Sequence, residues 1–122
     1  QLYVVKGGTT SFMIEQENPL TEAVYYILLT LRKPNHGYGI IQEVEQLTGG
    51  RVVLGAGTLY GAIQTLLKKG WIDIYSIDTE SRKKKEYVIS DLGKKVFEIE
   101  RQRLEELLRN ADLMKEGEEK DD

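Results

Sequence analysis

The sequence of 122 residues contains no cysteine, one histidine and no long apolar run. Without cysteine the chain has no disulfide, no thiolate nucleophile and no cysteine-ligated zinc or iron–sulfur site. A histidine-based metal cluster or a histidine-activated serine would depend on His36 alone. No apolar stretch reaches the roughly 18 residues that a membrane span needs. We therefore expect a cytoplasmic protein that is not an enzyme, needs no cofactor or metal and does not insert into a membrane.

The charge is distributed unevenly along the chain. The net charge is −3, but residues 51–95 carry nine Lys/Arg against five Asp/Glu, or +4, whereas residues 1–50 carry −2 and residues 96–122 carry −5. A basic middle in an acidic chain indicates a local surface that binds anions. With 40% hydrophobic residues, the chain can form one core and suits a single domain.

A first helix is predicted after a polar N-terminal segment. Asn18 suits an N-cap and Pro19 the first helical position, and apolar residues then recur at helical spacing until Pro34 ends the helix. Residues 1–14 show no clear periodicity. We expect them to be an N-terminal arm without regular structure or a leader left from expression.

Two short helices follow, each ended by glycine. The second runs from about Gly37 to Thr48 and stops at a pair of glycines, and the third has Thr58 as its N-cap and ends at Gly70. Their compact connection predicts a helix-turn-helix. In the third helix Leu59, Ile63, Leu66 and Leu67 form the predicted buried stripe.

A β-hairpin and a long helix complete the chain. Residues 71–77 alternate, with Ile72 and Ile74 on one face, residues 87–89 form a second strand, and the tip between them is basic. Trp71 is expected to be a buried anchor. Ser90 suits the cap of the last helix. That helix carries an apolar dimerisation row, interrupted by Glu100, that comprises Phe97, Leu104, Leu107, Leu108, Ala111 and Met114.

This order of elements predicts a mainly helical α+β fold, a winged helix-turn-helix with a long C-terminal dimerisation helix. After the arm at 1–14, we expect residues 15–90 to form a DNA-binding domain, residues 91–115 a dimerisation helix and residues 116–122 an acidic disordered tail.

Three strings carry a resemblance to a known family: HGYGI at 36–40, GTLYGAIQTLLKKGWI at 57–72 and RKKKEYVISDLGKK at 82–95. Together they resemble the PadR family of bacterial transcriptional regulators, in its short form with a single C-terminal helix. The likeness covers about residues 18–115. It implies a homodimer that binds a roughly palindromic operator in double-stranded DNA, usually as a repressor.

The resemblance also bears on effectors. Some family members hold flat aromatic ligands between their subunits and then bind DNA less well. Here the middle of the last helix, residues 100–108, contains no aromatic residue, which argues against such a pocket. A small-molecule effector of another kind stays compatible with the sequence.

The third helix holds most of the predicted DNA contacts. Thr58 and Tyr60 can donate hydroxyl hydrogen bonds to phosphates at a helix N-terminus, and Gln64 suits an adenine edge in a major groove. The exposed face comprises Gly61, Gln64, Thr65 and Lys68. The alternative is an ordinary capped helix, with Tyr60 in the core and a solvated outer face.

Further contacts are predicted on the second helix and on the hairpin. The resemblance suggests that Tyr38 touches phosphate, whereas for His36 simple packing or exposure to solvent is favoured over a DNA contact or a cap. Four basic residues lie at the tip of the hairpin, which is the wing of the predicted fold: Arg82, Lys83, Lys84 and Lys85. Because side chains alternate along a strand, two or three of them per subunit are expected to contact phosphates. The alternative is a solubilising tip.

A second class of function is a winged-helix module that binds proteins and not DNA. Such a module should expose an apolar patch, whereas the outer side of the third helix and the wing is polar and basic.

Overall fold

The structure is a computed structural model that describes residues 2–7, 10–15, 19–78 and 84–121, with side chains described for 19–76 and 85–118. Within these ranges the chain forms four helices and two small antiparallel sheets. The predicted fold class, mainly helical with a hairpin before the last helix, is confirmed. None of the helices in these ranges is long and apolar enough to cross a membrane.

Helix α1 spans Glu22–Thr30 and begins three residues later than the sequence predicted. Thr21 is its N-cap, because the Thr21 hydroxyl accepts a hydrogen bond from the Val24 N–H at 3.2 Å. Pro19 therefore precedes the helix instead of opening it, and Asn18, the predicted cap, lies outside the described residues.

The end of α1 also differs from the prediction. The helix stops at Thr30, before Pro34, and the buried Thr30 hydroxyl donates back to the Ile27 carbonyl at 2.9 Å. The Leu31 carbonyl accepts from the Ile89 N–H at 2.8 Å. The backbone after Thr30 is thus already bonded to a distant strand, and this contact replaces a further turn of helix.

Helix α2 spans Gly37–Leu47 and helix α3 spans Ala56–Lys69, close to the predicted helix-turn-helix. Two glycines with positive φ, Gly49 and Gly50, follow α2, and Gly70 ends α3 in the left-handed conformation with φ 74°. Glycine adopts this conformation at little cost, which is why these stops could be predicted.

The predicted N-cap of α3 was wrong. Gly55 occupies that position and makes no side-chain cap hydrogen bond. The Leu59 N–H bonds to the Gly55 carbonyl at 2.9 Å, so the helical ladder has begun before Thr58, which lies in the first turn.

The main sheet has three strands, β3 at Asn35–His36, β4 at Ile72–Asp78 and β5 at Lys84–Ile89, in the order β3-β5-β4. We refer to the β4–β5 hairpin as the wing. The two-residue strand β3 was not predicted, because it is too short to show alternation. It connects the start of α2 to β5.

A bulge interrupts the pairing of β4 with β5. Ile74 lies opposite Tyr87 and Ser76 opposite Glu86, so Tyr75 is the extra residue. Ile72 is 1% exposed but Ile74 is 47% exposed, although the sequence predicted one shared apolar face. The difference follows from the position of Ile74 beside the bulge on an edge strand.

The N-terminal segment also contains strands. β1 at Leu2–Gly7 pairs with β2 at Thr10–Glu15, with Val4 opposite Met13. The sequence analysis expected no regular structure here. Its apolar and β-branched residues, which are common in strands, account for the difference.

Helix α4 spans Asp91–Asp121. Ser90 caps it as predicted, since its hydroxyl accepts from the Gly93 N–H at 3.0 Å and donates to the Gly70 carbonyl at 2.5 Å. The sequence analysis predicted a disordered tail at 116–122, whereas in the structure the helix continues to Asp121. Glu and Lys are good helix formers, so a helix that is already nucleated propagates through this segment.

One core lies between the helices and the sheet. Trp71 is buried in it, as predicted. The other large buried apolar residues come from every helix and from both strands of the wing: Ile27, Leu28, Leu31, Ile40, Val44, Leu54, Leu59, Ile63, Leu66, Ile72, Tyr87, Ile89 and Val96.

Candidate nucleic-acid interface

One side of α3 is exposed along the whole helix. Of the predicted stripe, Leu59, Ile63 and Leu66 are buried on the other side, and Leu67 is partly buried. The opposite side carries exposed residues at spacings of four, three and four: Gly57, Gly61, Gln64 and Lys68. We call these four residues the α3 row. The α3 row contains three of the four residues predicted for the outer face of the helix. Its four residues form a narrow, polar strip with little side-chain bulk.

Thr58 and Thr65 lie to one side of the α3 row. Both are exposed, and the Thr65 hydroxyl donates to the Gly61 carbonyl at 3.2 Å. Thr65 also lines an apolar cavity of about 200 Å³ together with Leu20 and Trp71. Thr65 therefore faces the start of α1. The sequence analysis had placed it on the same outer face as Gly61, Gln64 and Lys68.

Tyr60 lies on the other side of the α3 row, against the first turn of α2. A Cβ atom placed on Gly37 would lie 2.5 Å from the Tyr60 hydroxyl oxygen and 2.8 Å from Cζ. A side chain at 37 would displace the end of this ring. The close approach brings the tyrosine of α3 beside the N-terminus of α2, and half of its surface remains exposed.

Tyr60 borders a groove of about 380 Å³ in which three elements meet. The described residues that line it are His36, Gly37, Tyr38, Gln42, Tyr60, Lys85 and Tyr87. We call it the tyrosine groove. Tyr38 is 63% exposed at its edge, so the predicted residues of α2, α3 and the wing converge here. Gln42 was missed by the sequence analysis, although its position four residues after Tyr38 places it on the same helical face.

The wing supplies the positive charge of the tyrosine groove. Lys85 is exposed and is the one charged side chain among the described residues that line the groove. Lys84 begins β5, where it pairs with Asp78, and its side chain is not among those described. Arg82 and Lys83 lie outside the described residues.

Burial at the floor of the groove affects the ionisation of Tyr87. Loss of hydration raises the pKa of the Tyr87 phenol, and the neighbouring Tyr60 raises it further. At neutral pH the Tyr87 hydroxyl is therefore neutral. The groove offers hydroxyl, amide and ammonium groups, which is a donor set suited to an anion.

His36 has a structural partner that the sequence analysis did not favour. It is the N-cap of α2, and its Nδ1 accepts from the Gly39 N–H at 3.1 Å. Its backbone N–H donates to the Asn35 side-chain oxygen at 2.9 Å. In the described part of the chain, no group of three or more His, Cys, Asp or Glu side chains could hold a metal ion.

The model of the PadR-like family of transcriptional regulators matches residues 26–99, more than half of the chain and all of the surface described above. This chain belongs to the PadR-like family. The resemblance found in the three sequence strings is confirmed.

Several proteins are similar to this PadR-like regulator. A transcriptional regulator from Clostridium thermocellum is 25% identical, with a TM-score of 0.60 over 77% of this chain and 87% of that one. Bacillus subtilis PadR in complex with operator DNA is 27% identical, with a TM-score of 0.54 over 62% of this chain and 44% of that one. An uncharacterized protein of Lysinibacillus sphaericus is 39% identical over 67 residues, and this chain spans 62% of its length.

The predicted dimerisation row of this PadR-like protein continues the buried face of α4. Gly93, Val96 and Glu100 are buried, and the same face then runs on at spacings of four, three, four and three. Every described side chain from 104 to 118 is exposed. We call the exposed apolar residues on this face the α4 row: Leu104, Leu107, Leu108, Ala111 and Met114.

Phe97 differs from the rest of the predicted row. Its ring lies 4.7 Å from that of Tyr25, centroid to centroid, and it packs against the core of the same chain. Phe97 therefore supports α1. In the α4 row, Leu104 still lies beside Leu20 and Tyr25, whereas the residues from Leu107 onward have no cover within the described chain.

Proposed function

We propose that this chain is a DNA-binding transcriptional repressor that acts as a homodimer on a palindromic operator. The observation that carries the proposal is the tyrosine groove, where Tyr38 of α2, Tyr60 of α3 and Lys85 of the wing meet beside the α3 row. Hydrogen-bond donors from three elements thus face one side of the molecule. The similarity to a PadR protein crystallised with operator DNA supports the same partner.

In this proposal α3 lies in the major groove. Gly57 and Gly61 have no side chain that would keep the helix backbone from the DNA. Gln64 can bond an adenine edge in two places, and Lys68 reaches a guanine or a phosphate. Thr58 and Tyr60 donate to phosphates at the groove edge, and Thr65, whose hydroxyl is already engaged, contributes least.

The wing binds the DNA backbone. Lys85 lies at the tyrosine groove, and Arg82, Lys83 and Lys84 precede it. Contacts of this kind are independent of sequence, and each neutralised phosphate releases counterions. The wing therefore adds affinity and the α3 row adds specificity.

The α4 row pairs with the α4 row of a second copy. Exposed leucines at heptad-like spacing on a helix that extends beyond its own domain are typical of such an interface. Two-fold symmetry would set the two α3 helices about 34–36 Å apart, which is one turn of DNA. The operator would then have two inverted half-sites.

The experiment that tests this function is selection of bound sequences from a random pool of double-stranded DNA, followed by fluorescence anisotropy with the selected duplex. Gly61→Leu should lower the affinity more than tenfold, because a leucine side chain would stand between α3 and the base edges. Gly117→Leu makes the same change on an exposed part of α4 and should leave the affinity unchanged.

Two results would contradict the proposal. One is a pool that yields no enriched sequence, which would favour a module that binds proteins. The other is equal affinity of Gly61→Leu and Gly117→Leu. Repression is tested separately, by placing the selected operator within a promoter and measuring reporter output with and without the protein.

A further inference from the structure

We propose that His36 is a further DNA-contacting residue, which donates a hydrogen bond from Nε2 of its neutral ring to a backbone phosphate in the tyrosine groove. Its own cap on α2 fixes the tautomer that this contact requires. The inference rests on the proposed function and adds a residue to that same surface.

The cap determines where the ring carries its hydrogen. Nδ1 of His36 accepts the Gly39 N–H, and a ring nitrogen that accepts a hydrogen bond carries no hydrogen. The neutral imidazole must then carry its hydrogen on Nε2. Nε2 lies on the side of the ring away from the α2 backbone, and no described group takes a hydrogen bond from it. His36 thus has one engaged and one available nitrogen.

The ring is held firmly in this orientation. The Asn35 side-chain oxygen accepts the His36 backbone N–H at 2.9 Å, and the Asn35 amide nitrogen donates to Glu43 at 3.3 Å. His36 also lies opposite Glu86 in the pairing of β3 with β5. Helix α2 and the wing therefore hold the backbone of His36, so little freedom is lost when the ring binds a ligand.

The surroundings of the ring suit a phosphate. His36 lines the tyrosine groove together with Tyr38, Gln42, Tyr60 and Lys85, each of which can donate a hydrogen bond. A phosphate oxygen accepts from several donors at once, and one ammonium group with neutral donors around it is a common way to bind one. A doubly protonated ring would lose the cap, because Nδ1 would then donate. The cap is therefore compatible only with the neutral ring.

Substitution of His36 by asparagine or by glutamine tests the roles of its two ring nitrogens separately. Asn places an acceptor where Nδ1 lies, one bond beyond Cγ, and is a good N-cap, but it does not reach the position of Nε2. Gln places an amide N–H near the position of Nε2, but it has no acceptor at the position of Nδ1. His36→Asn therefore keeps the cap and loses the donor, and His36→Gln does the reverse.

The test measures the affinity for the selected operator duplex and the thermal unfolding of the wild type and both variants. His36→Asn should unfold near the wild-type temperature but bind about 5-fold more weakly for one contact, or about 25-fold for the two contacts of a dimer. His36→Gln should unfold about 4 °C lower and bind within about 3-fold of the wild type. Neither variant should change the dependence of affinity on salt, because a neutral donor releases no counterion.

Three outcomes would overturn the inference while leaving the proposed function in place: wild-type affinity of His36→Asn, an equal loss of affinity in both variants, or a flatter salt dependence in His36→Asn, which would make the contact ionic. A wild-type protein that binds no selected DNA would overturn the proposed function, and the inference with it. Whether the wild-type protein binds the selected DNA therefore distinguishes a failure of the proposed function from a failure of the inference about His36.

Discussion

The carboxylate of Glu100 in α4 accepts a hydrogen bond from the backbone N–H of Leu20, just before α1, at 2.8 Å. Arg103 donates to the same carboxylate at 2.5 and 3.1 Å, and Glu100 itself is only 2% exposed. In the sequence Glu100 is a polar interruption of an apolar row. In the fold it joins the start of α1 to the long helix that would carry the dimer interface.

Glu100→Gln should lower the free energy of unfolding at pH 7 by about 1–3 kcal/mol, because hydrogen bonds to a buried charge are lost. Burial opposes ionisation of Glu100, but the hydrogen bonds from Arg103 and Leu20 outweigh it and hold its pKa below the usual 4.5. A carboxyl whose pKa is lower in the folded state stabilises the fold above its unfolded pKa, and this stabilisation disappears as the pH falls through the folded pKa.

Wild-type stability should therefore decline below about pH 4.5, and part of that decline should be missing in Glu100→Gln. Urea unfolding between pH 7 and pH 3 measures it. Glu98→Gln is the matched control, since Glu98 is ion-paired with Arg101 but half-exposed, and should change stability by less than about 0.5 kcal/mol. Identical pH profiles for wild type and Glu100→Gln would show that Glu100 contributes nothing to acid sensitivity.

The proposed role of the α4 row in dimerisation can be tested by introducing charged residues into it. Leu104→Glu combined with Leu107→Glu should convert a dimer to a monomer, because burying unpaired carboxylates at the interface costs several kcal/mol. Leu113→Glu is the control, since Leu113 is also exposed but lies on the opposite side of α4. Sedimentation equilibrium reports the mass, and a dimer that survives the double substitution would place the interface elsewhere.

The wing and the α3 row should respond differently to salt. Replacing Lys83, Lys84 and Lys85 with Ala should weaken binding to operator and random DNA alike. Each lost phosphate contact should reduce the slope of log affinity against log salt by about 0.9, or roughly four for two contacts per subunit in a dimer.

Gln64→Ala is the matched change on the α3 row. It should leave the salt slope unchanged and cost about 1–3 kcal/mol of binding free energy, only where a matching base is present. Isotherms at several salt concentrations measure both effects. An unchanged slope in the triple lysine variant would identify the tip as a solvated loop.

At position 93, helix propensity favours alanine but the packing favours glycine. A Cβ there would overlap the Trp71 carbonyl oxygen and lie 2.8 Å from Ile89 Cγ1. Alanine is favoured over glycine in a helix by about 1 kcal/mol, but the Trp71 carbonyl also accepts the Ser90 N–H at 2.9 Å and cannot move freely. We expect Gly93→Ala to lower the free energy of unfolding by about 1–3 kcal/mol.

Gly117→Ala serves as the comparison, because nothing lies within 4 Å of a Cβ at that exposed position of α4. It should raise helix stability by up to about 1 kcal/mol. Unfolding of both variants in denaturant measures whether each substitution raises or lowers the free energy of unfolding. A stabilised Gly93→Ala would mean that the backbone at Trp71 yields to the methyl group.

The helices, their glycine stops and the apolar α4 row could be predicted from the sequence, because each depends on residues within one or two turns. Periodic leucines place α3, and glycine at 49, 50 and 70 suits the conformation that ends a helix. The α3 row follows from the same period, since an exposed face is the complement of a buried one.

Other features depend on contacts between residues far apart in the chain. Leu20 meets Glu100 across 80 positions, and β3 exists only because β5 lies beside it. The start of α1 and the place of Gln42 in the tyrosine groove likewise depend on where neighbouring elements pack. Local propensity is too weak to determine such contacts, and only the tertiary structure decides which polar groups are paired in the core and which remain available at the surface.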